Sequence, residues 1–244
     1  MKAMILAAGL GTRLKPYTNT KPKALIEIEG KTLLEMVVTR LNYYGFNEII
    51  INVHHFADQI RSYLKKKKYF GAKIELSDET DQLLDTGGGL RKASWFFKDD
   101  NEPFLVHSVD VFSNVDLIDM LEYHKTYNVT ATLAVKERDT SRSLLLNKSG
   151  YLCGWKNNMT GETIIANKSN NDLYPTAFSA IQMLSADIFK DMPSEGPFSL
   201  TDFYLTISHE ERVFTYNHDY SYWFDLGNIE KIEKAKEYIK NDFI

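Results

Sequence analysis

One cysteine, Cys153, is all that this chain of 244 residues contains. A lone thiol excludes an intramolecular disulfide and zinc sites of the multi-cysteine kind. No base stands beside it in sequence, so it reads as an ordinary buried residue. The chain also lacks a charge excess. Its 29 Lys and Arg against 33 Asp and Glu leave a net −4, which argues against nucleic acid or an anionic membrane surface as the main partner. No run approaches the ~18 apolar residues needed to span a bilayer. The apolar stretch Met4–Ala8 is too short for a secretory signal core, so the expected location is the cytoplasm. No Pro/Ser-rich linker and no internal repeat appear, and no hexapeptide β-helix pattern follows residue 230. With 43% hydrophobic residues the chain has enough apolar material for a core, and one domain with two lobes, about 1–110 and 111–244, is expected.

What is present first is an alternation of periods. KAMILAA at 2–8 and EIIINV at 48–53 are apolar runs, the mark of strands buried on both faces, and AKIELS at 72–77 and PFLVHSV at 103–109 read as two further strands. Between them, helical spacing runs over 32–45, 56–68 and 87–97. Thr32 followed by Glu35 forms a capping box, and Gly45 is a helix stop. The second half carries a helix at 115–127 and strands at 129–137, 143–147, 151–155, 176–184, 212–216 and 220–224, joined by short polar turns. Helices at 199–209 and 228–241 complete the pattern. The expected fold is α/β: a Rossmann-like three-layer α/β/α arrangement with a mixed, mainly parallel central sheet.

The first strand ends in GLGTRLKPYTNTKPKAL, residues 9–25. Glycines there let backbone N–H groups approach phosphate oxygens, and Arg13 and Lys23 supply separate cations. The spacing is not that of a Walker loop. It is not a dinucleotide fingerprint either: Leu14 stands at the third glycine, and the second strand ends in Asn52-Val-His54-His55 with no acid for a ribose. A triphosphate grip accounts for the cations; a dehydrogenase does not.

Residues Gly9, Gly11, Thr12, Arg13, Pro16, Thr18, Pro22 and Lys23 together resemble the nucleotidyltransferase signature of the sugar-nucleotide pyrophosphorylases (sugar-phosphate nucleotidyltransferases). Ala24 and Glu27 replace two of the family's prolines. Further segments resemble the family in the same order. LLDTGGGLRKA, 83–93, is similar to its base-binding segment, and Ser108-Val109-Asp110 to its N-G-D. TAFSAIQML resembles F-S-G-I, with Ala180 in place of glycine. Trp223-Phe-Asp225-Leu-Gly227-Asn228-Ile229 resembles W-x-D-[IV]-G-T-P. The compact length and the D-T-G-G-G form look most like the small bacterial group of N-acetylmuramate-1-phosphate uridylyltransferases, mannose-1-phosphate guanylyltransferases and heptose-1-phosphate nucleotidyltransferases.

The resemblance implies transfer of a nucleotidyl group from a nucleoside triphosphate to a sugar 1-phosphate, with Mg²⁺ as cofactor. It makes residues 1–110 a nucleotide-binding lobe and 111–244 a sugar-phosphate lobe. Arg13, Lys23 and Asp110 would be catalytic. Ala8, Gly9, Gly11, Thr12, Arg13 and Lys23 would hold phosphates, with Glu79, Asp85, Thr86, Gly87 and Gly88 near the base. Ser179, Arg142, Lys156 and Asp202 would face the sugar phosphate, and Asp110 and Asp225 would ligate the metal. A monomer or small homo-oligomer is expected. A cytidylyltransferase acting on phosphocholine or a similar alcohol phosphate is the nearest alternative, and a non-catalytic nucleotide-sugar-binding homologue the next. Neither the base nor the sugar is readable, because backbone readout leaves little side-chain signature.

Overall fold

A computed structural model describes residues 1–98, 102–167, 172–210 and 212–242. In chain order the strands of the first half are β1 (Lys2–Leu6), β2 (Glu27–Ile28), β3 (Lys31–Thr32), β4 (Glu48–Val53), β5 (Lys73–Asp78), β6 (Phe104–Ser108) and β7 (Val111–Ser113). Those of the second half are β8 (Ala131–Lys136), β9 (Arg142–Leu146), β10 (Leu152–Asn157), β11 (Thr163–Ile165), β12 (Tyr174–Leu184), β13 (Val213–Asn217) and β14 (Trp223–Asp225). The helices are α1 (Leu33–Tyr43), α2 (Ala57–Lys66), α3 (Asp85–Lys92), α4 (Leu117–Tyr127), α5 (Leu200–Ile207) and α6 (Ile229–Asp242).

Ten strands form one sheet that runs through both halves, ordered β11-β10-β9-β12-β6-β1-β4-β5, with β8 on β12 and β13 on β8. The β6-β1-β4-β5 part is parallel throughout. The long β12 turns the sheet mixed, because it pairs antiparallel with β6, β8 and β9. Successive side chains on a strand point to opposite faces, so a run buried on both sides must feed two cores. It does. Ala3, Ile5, Ile49 and Ile51 join α1, α2, α4 and α6 on one face. Met4 and Ile50 join α3 and α5 on the other.

Strand β1 has β4 on one side and β6 on the other, and the chain leaves it in both directions. That is a topological switch point, where the loops beyond the carboxyl ends of adjacent parallel strands diverge and open a crevice. The β1, β4 and β6 loops all project there. A two-stranded ribbon, β7 with β14, lies beside it in register Asp225↔Val111. The expected layers and sheet class are those observed. The strand expected at 220–224 is shorter, Trp223–Asp225, and the small β2–β3 hairpin and β11 carry too few residues to show a period. The helix expected over 87–97 starts at Asp85, stops at Lys92 and continues as a 3-10 turn, Ala93–Phe96.

Candidate active site

The switch-point crevice is a cavity of about 330 Å³ lined by Leu6–Gly9, Lys23, Asn52, Leu83, Asp85, Thr86 and Ser108–Asp110. Three strand ends and the start of α3 therefore meet around one space. Gly9 has no atom within 4 Å of where a Cβ would stand, so the loop's first glycine faces open room. Gly11 is different. It holds a left-handed backbone at φ 63°, and a Cβ there would lie 2.9 Å from the Thr18 methyl and 3.0 Å from Lys23 Cβ. The Thr18 hydroxyl donates to the Gly11 carbonyl at 2.9 Å. Thr18 and Gly11 thus clear a channel along which the Lys23 stem reaches the cavity.

There the Lys23 ammonium pairs with Asp110 Oδ2, while the Ser108 hydroxyl donates to Asp110 Oδ1 at 2.5 Å. The Asp110 side chain is only 17% exposed. Burial pushes its carboxyl up, but the Lys23 charge and the hydrogen bonds outweigh burial and hold it below the usual carboxylate range. Beneath it, burial pushes His107 down to about 4, so this imidazole is neutral at pH 7.

Asp110 and Asp225, far apart in sequence, become neighbours through the β7–β14 ribbon: the Leu226 N–H donates to the Asp110 carbonyl at 2.7 Å. Asp225 Oδ1 accepts from the Gly227 N–H at 2.9 Å, and Oδ2 pairs with Lys231 at 2.6 Å. The Arg13 guanidinium packs on Gly227. A Cβ at 227 would lie 2.9 Å from Arg13 Nη2 and 2.6 Å from Asp225 Oδ1. Gly227 is therefore the spacer that lets the signature arginine approach the second acid. Two acids and two signature cations, drawn from four separate segments, converge on one crevice edge. Among the described residues no cluster of three or more His, Cys, Asp or Glu forms a complete metal cage. Two hard carboxylates fit Mg²⁺, which takes one or two protein carboxylates and completes its shell with phosphate oxygens and water.

The family model for nucleotidyl transferases matches residues 2–144, more than half of the chain. The chain belongs to the nucleotidyl transferase family. It is 30% identical over 219 residues to the N-acetylmuramate alpha-1-phosphate uridylyltransferase of Caulobacter vibrioides, covering 86% of both chains. It is also 30% identical over 208 residues to the mannose-1-phosphate guanyltransferase beta-A of Xenopus laevis, covering 80% of this chain and 57% of that one. In fold it matches a UDP-glucose pyrophosphorylase solved with UDP-glucose, with a TM-score of 0.76 at 18% identity over 99% of this chain and 98% of that one.

Within this nucleotidyl transferase, the residues expected near the base divide. Asp85 and Thr86 line the cavity. Gly87 and Gly88 do not: both N–H groups donate to the Phe198 carbonyl, at 2.8 and 3.3 Å. A Cβ at Gly87 would lie 2.3 Å from the Phe198 ring, and one at Gly88 would lie 2.5 Å from the Gly196 carbonyl. Gly87 and Gly88 are expected near the base, but their N–H donors are spent on seating α3 against the segment that starts α5. Leu200 N–H completes the seam by donating to the Thr86 hydroxyl at 2.9 Å.

Glu79 is fully buried and acts as a brace. Asn52 Nδ2 donates to Glu79 Oε1 at 2.8 Å and Leu84 N–H to Oε2 at 3.2 Å, while Asn52 Oδ1 accepts from Ala7 N–H at 2.7 Å. Burial pushes the Glu79 carboxyl up despite these donors. The chain Ala7–Asn52–Glu79–Leu84 ties the β1 loop to the β4 end and the α3 approach, and Gly89 leaves room for it. Thr12 and Arg13 lie on the exposed turn Thr12–Leu14, outside the cavity lining.

The residues expected at the sugar phosphate are not gathered. Arg142 pairs in register with Asn157, and Lys156 with Ser143, so Arg142 and Lys156 stand on opposite sheet faces. Asp202 is an exposed acid in the first turn of α5, behind the Ser199 cap. Ser179 is buried, its hydroxyl 2.7 Å from His218 Nε2 and its carbonyl accepting from Trp223 Nε1 at 2.9 Å. The sequence reading missed Arg138. Its guanidinium lies 3.9 Å over the Trp223 ring and donates to the Phe178 carbonyl at 2.8 Å. Burial lowers its pKa, against the opposing pull of the Asp225 charge. An arginine two residues after a strand carries no local signal of such a position. Ala180 holds φ 55° where β12 loses register between its Phe178 and Gln182 pairings with β8, a conformation that suits glycine.

Proposed function

We propose that this chain transfers a nucleotidyl group from a nucleoside triphosphate to a sugar 1-phosphate, releasing pyrophosphate and forming a nucleotide-sugar. Membership of the family and the names of its relatives support sugar-1-phosphate nucleotidyl transfer as the class of reaction. The observation that carries the reading for this chain is the convergence of Lys23 with Asp110, and of Arg13 with Asp225, at the edge of the switch-point cavity.

The chemistry follows from charge. An oxygen of the sugar phosphate attacks the α-phosphorus, and the bond to the bridging oxygen of pyrophosphate breaks in line with it. Phosphoryl-type transfer of this kind needs positioning and neutralisation rather than a protein nucleophile. Lys23, lying along the cavity, meets the triphosphate as a point charge. Arg13, at the outer edge, offers a fork to the departing pyrophosphate. Asp110 and Asp225 would hold Mg²⁺, which supplies neutralisation of the α-phosphate and of the incoming phosphate. Asp85 and Thr86, fixed at the start of α3, border the space left for the base.

The test is a matrix of UTP, GTP, CTP and dTTP against several sugar 1-phosphates and phosphocholine, with and without Mg²⁺, read by pyrophosphate release. Release with one or more sugar 1-phosphates supports the reading. Release with phosphocholine alone transfers it to the alcohol-phosphate class, and tight binding with no release in any cell makes the protein a non-catalytic binder.

A further inference from the structure

All four oxygens of the two acids are engaged by the protein itself. Asp110 is held by Lys23 and Ser108, and Asp225 by Gly227 N–H and Lys231. Lys23 belongs to the phosphate grip. Lys231 belongs to nothing yet described. It sits in the first turn of α6, its own N–H capped by Asn228 Oδ1 at 2.9 Å, and its side chain reaches back past the helix start to Asp225. The N-terminus of a helix is the wrong end for a cation, since the aligned peptide dipoles leave it positive. Helix stability therefore gives no reason for the placement; Asp225 does. The Arg13 guanidinium packs against Gly227, whose N–H donates to the same Asp225 carboxylate. One carboxylate thus has two cations beside it. That surplus of positive charge welcomes phosphate and repels a bare divalent ion.

We propose that Lys231 is a resident counter-ion. It fixes the Asp225 carboxylate and keeps divalent metal off it until phosphate offers the ammonium another partner, so that metal and nucleotide load together. The proposal rests on Asp225 being a metal ligand, as read above. Lys231 is a positioning residue in this account: it acts through Asp225.

The experiment titrates Mn²⁺ into the full chain without nucleotide, at low salt and neutral pH, and reads bound metal by electron paramagnetic resonance. Lys231→Met keeps an unbranched, helix-compatible stem on a side chain that is 43% exposed, so the fold is retained. The expected result is Mn²⁺ binding about tenfold tighter than in the unaltered chain, the size of one close charge–charge interaction largely screened by water, as suits a lysine that is 43% exposed. Lys231→Arg restores the weak binding, and adding Asp225→Asn to Lys231→Met abolishes the gain. Equal or weaker binding by Lys231→Met, or a gain that survives Asp225→Asn, overturns the proposal. Turnover of the unaltered chain separates the two readings. A gain in Mn²⁺ affinity without any turnover removes the proposed reaction and leaves the counter-ion. Turnover without the gain does the opposite.

Discussion

Lys23→Met isolates the pair at the centre of the cavity. The variant keeps the stem that passes Gly11 and removes the charge facing Asp110, whose side chain is 17% exposed. Removing one partner of a buried pair costs about 3–5 kcal/mol because the other charge is stranded. The Ser108 hydroxyl still donates to Asp110 Oδ1, which places the cost at the lower end, about 3 kcal/mol. For a domain of this size that is a fall in Tm of roughly 6–12 °C at pH 7.

The pH dependence has a sign of its own. In the unaltered chain the Asp110 pKa is depressed, so the pair's contribution is present above the unfolded carboxylate value of about 3.9 and is lost as pH falls through the lower folded value. Without Lys23 the opposing charge is gone, and burial, the largest influence on this carboxyl, raises it against the remaining Ser108 and backbone hydrogen bonds. The variant then carries its penalty at neutral pH and sheds it in acid, as Asp110 takes up a proton. Thermal melts of both proteins between pH 7 and pH 4 should show a gap that is widest at pH 7 and narrows in acid. Adding Asp110→Asn should recover most of the loss. A gap that is absent at pH 7, or that widens in acid, would refute the assignment of Lys23 as the charge that balances Asp110.

Other outcomes follow from space and backbone. Gly227→Ala would push the ends of Arg13 and Asp225, both flexible, so kcat should fall on the order of a hundredfold while Tm moves by less than about 2 °C; steady-state kinetics beside a thermal melt checks the split. Gly87→Ala drives a methyl into the Phe198 ring and should cost at least about 2 kcal/mol, seen as a drop in Tm. Gly9→Ala meets nothing within 4 Å and should leave Tm unchanged, which makes it the matched control. Ala180→Gly relieves a left-handed residue and should stabilise the fold by up to about 1 kcal/mol in a denaturant titration; a loss of stability would show that φ 55° costs nothing there.

The layers and the parallel strands were legible because the strands are short segments rich in apolar residues and each helix has its own period, both local signals. The signature loop was legible for the same reason: Gly9, Gly11, Arg13 and Lys23 stand close together in sequence. The glycine triplet misled because its use depends on a distant segment. Nothing near residue 87 reveals that Phe198 fills the space above it. Asn52 registered only as a missing acid, whereas it is the link in a buried brace whose other members lie at Ala7, Glu79 and Leu84. Arg142 and Lys156 were chosen for charge, but strand register turns them to opposite faces. Lys231 and Arg138 carry no local signal in the sequence; only the fold seats Lys231 on Asp225 and Arg138 over the Trp223 ring.

The central claim is tested most directly by the products of the best substrate pair from the matrix, measured by mass spectrometry for the unaltered chain and for Asp110→Asn. The account predicts one nucleotide-sugar for each pyrophosphate released. It also predicts a rate for Asp110→Asn lower by on the order of a hundredfold or more, the ~3–4 kcal/mol lost when a charge acting on the transition state is removed. Pyrophosphate without a nucleotide-sugar, or a folded Asp110→Asn variant that keeps near-full turnover, would contradict it.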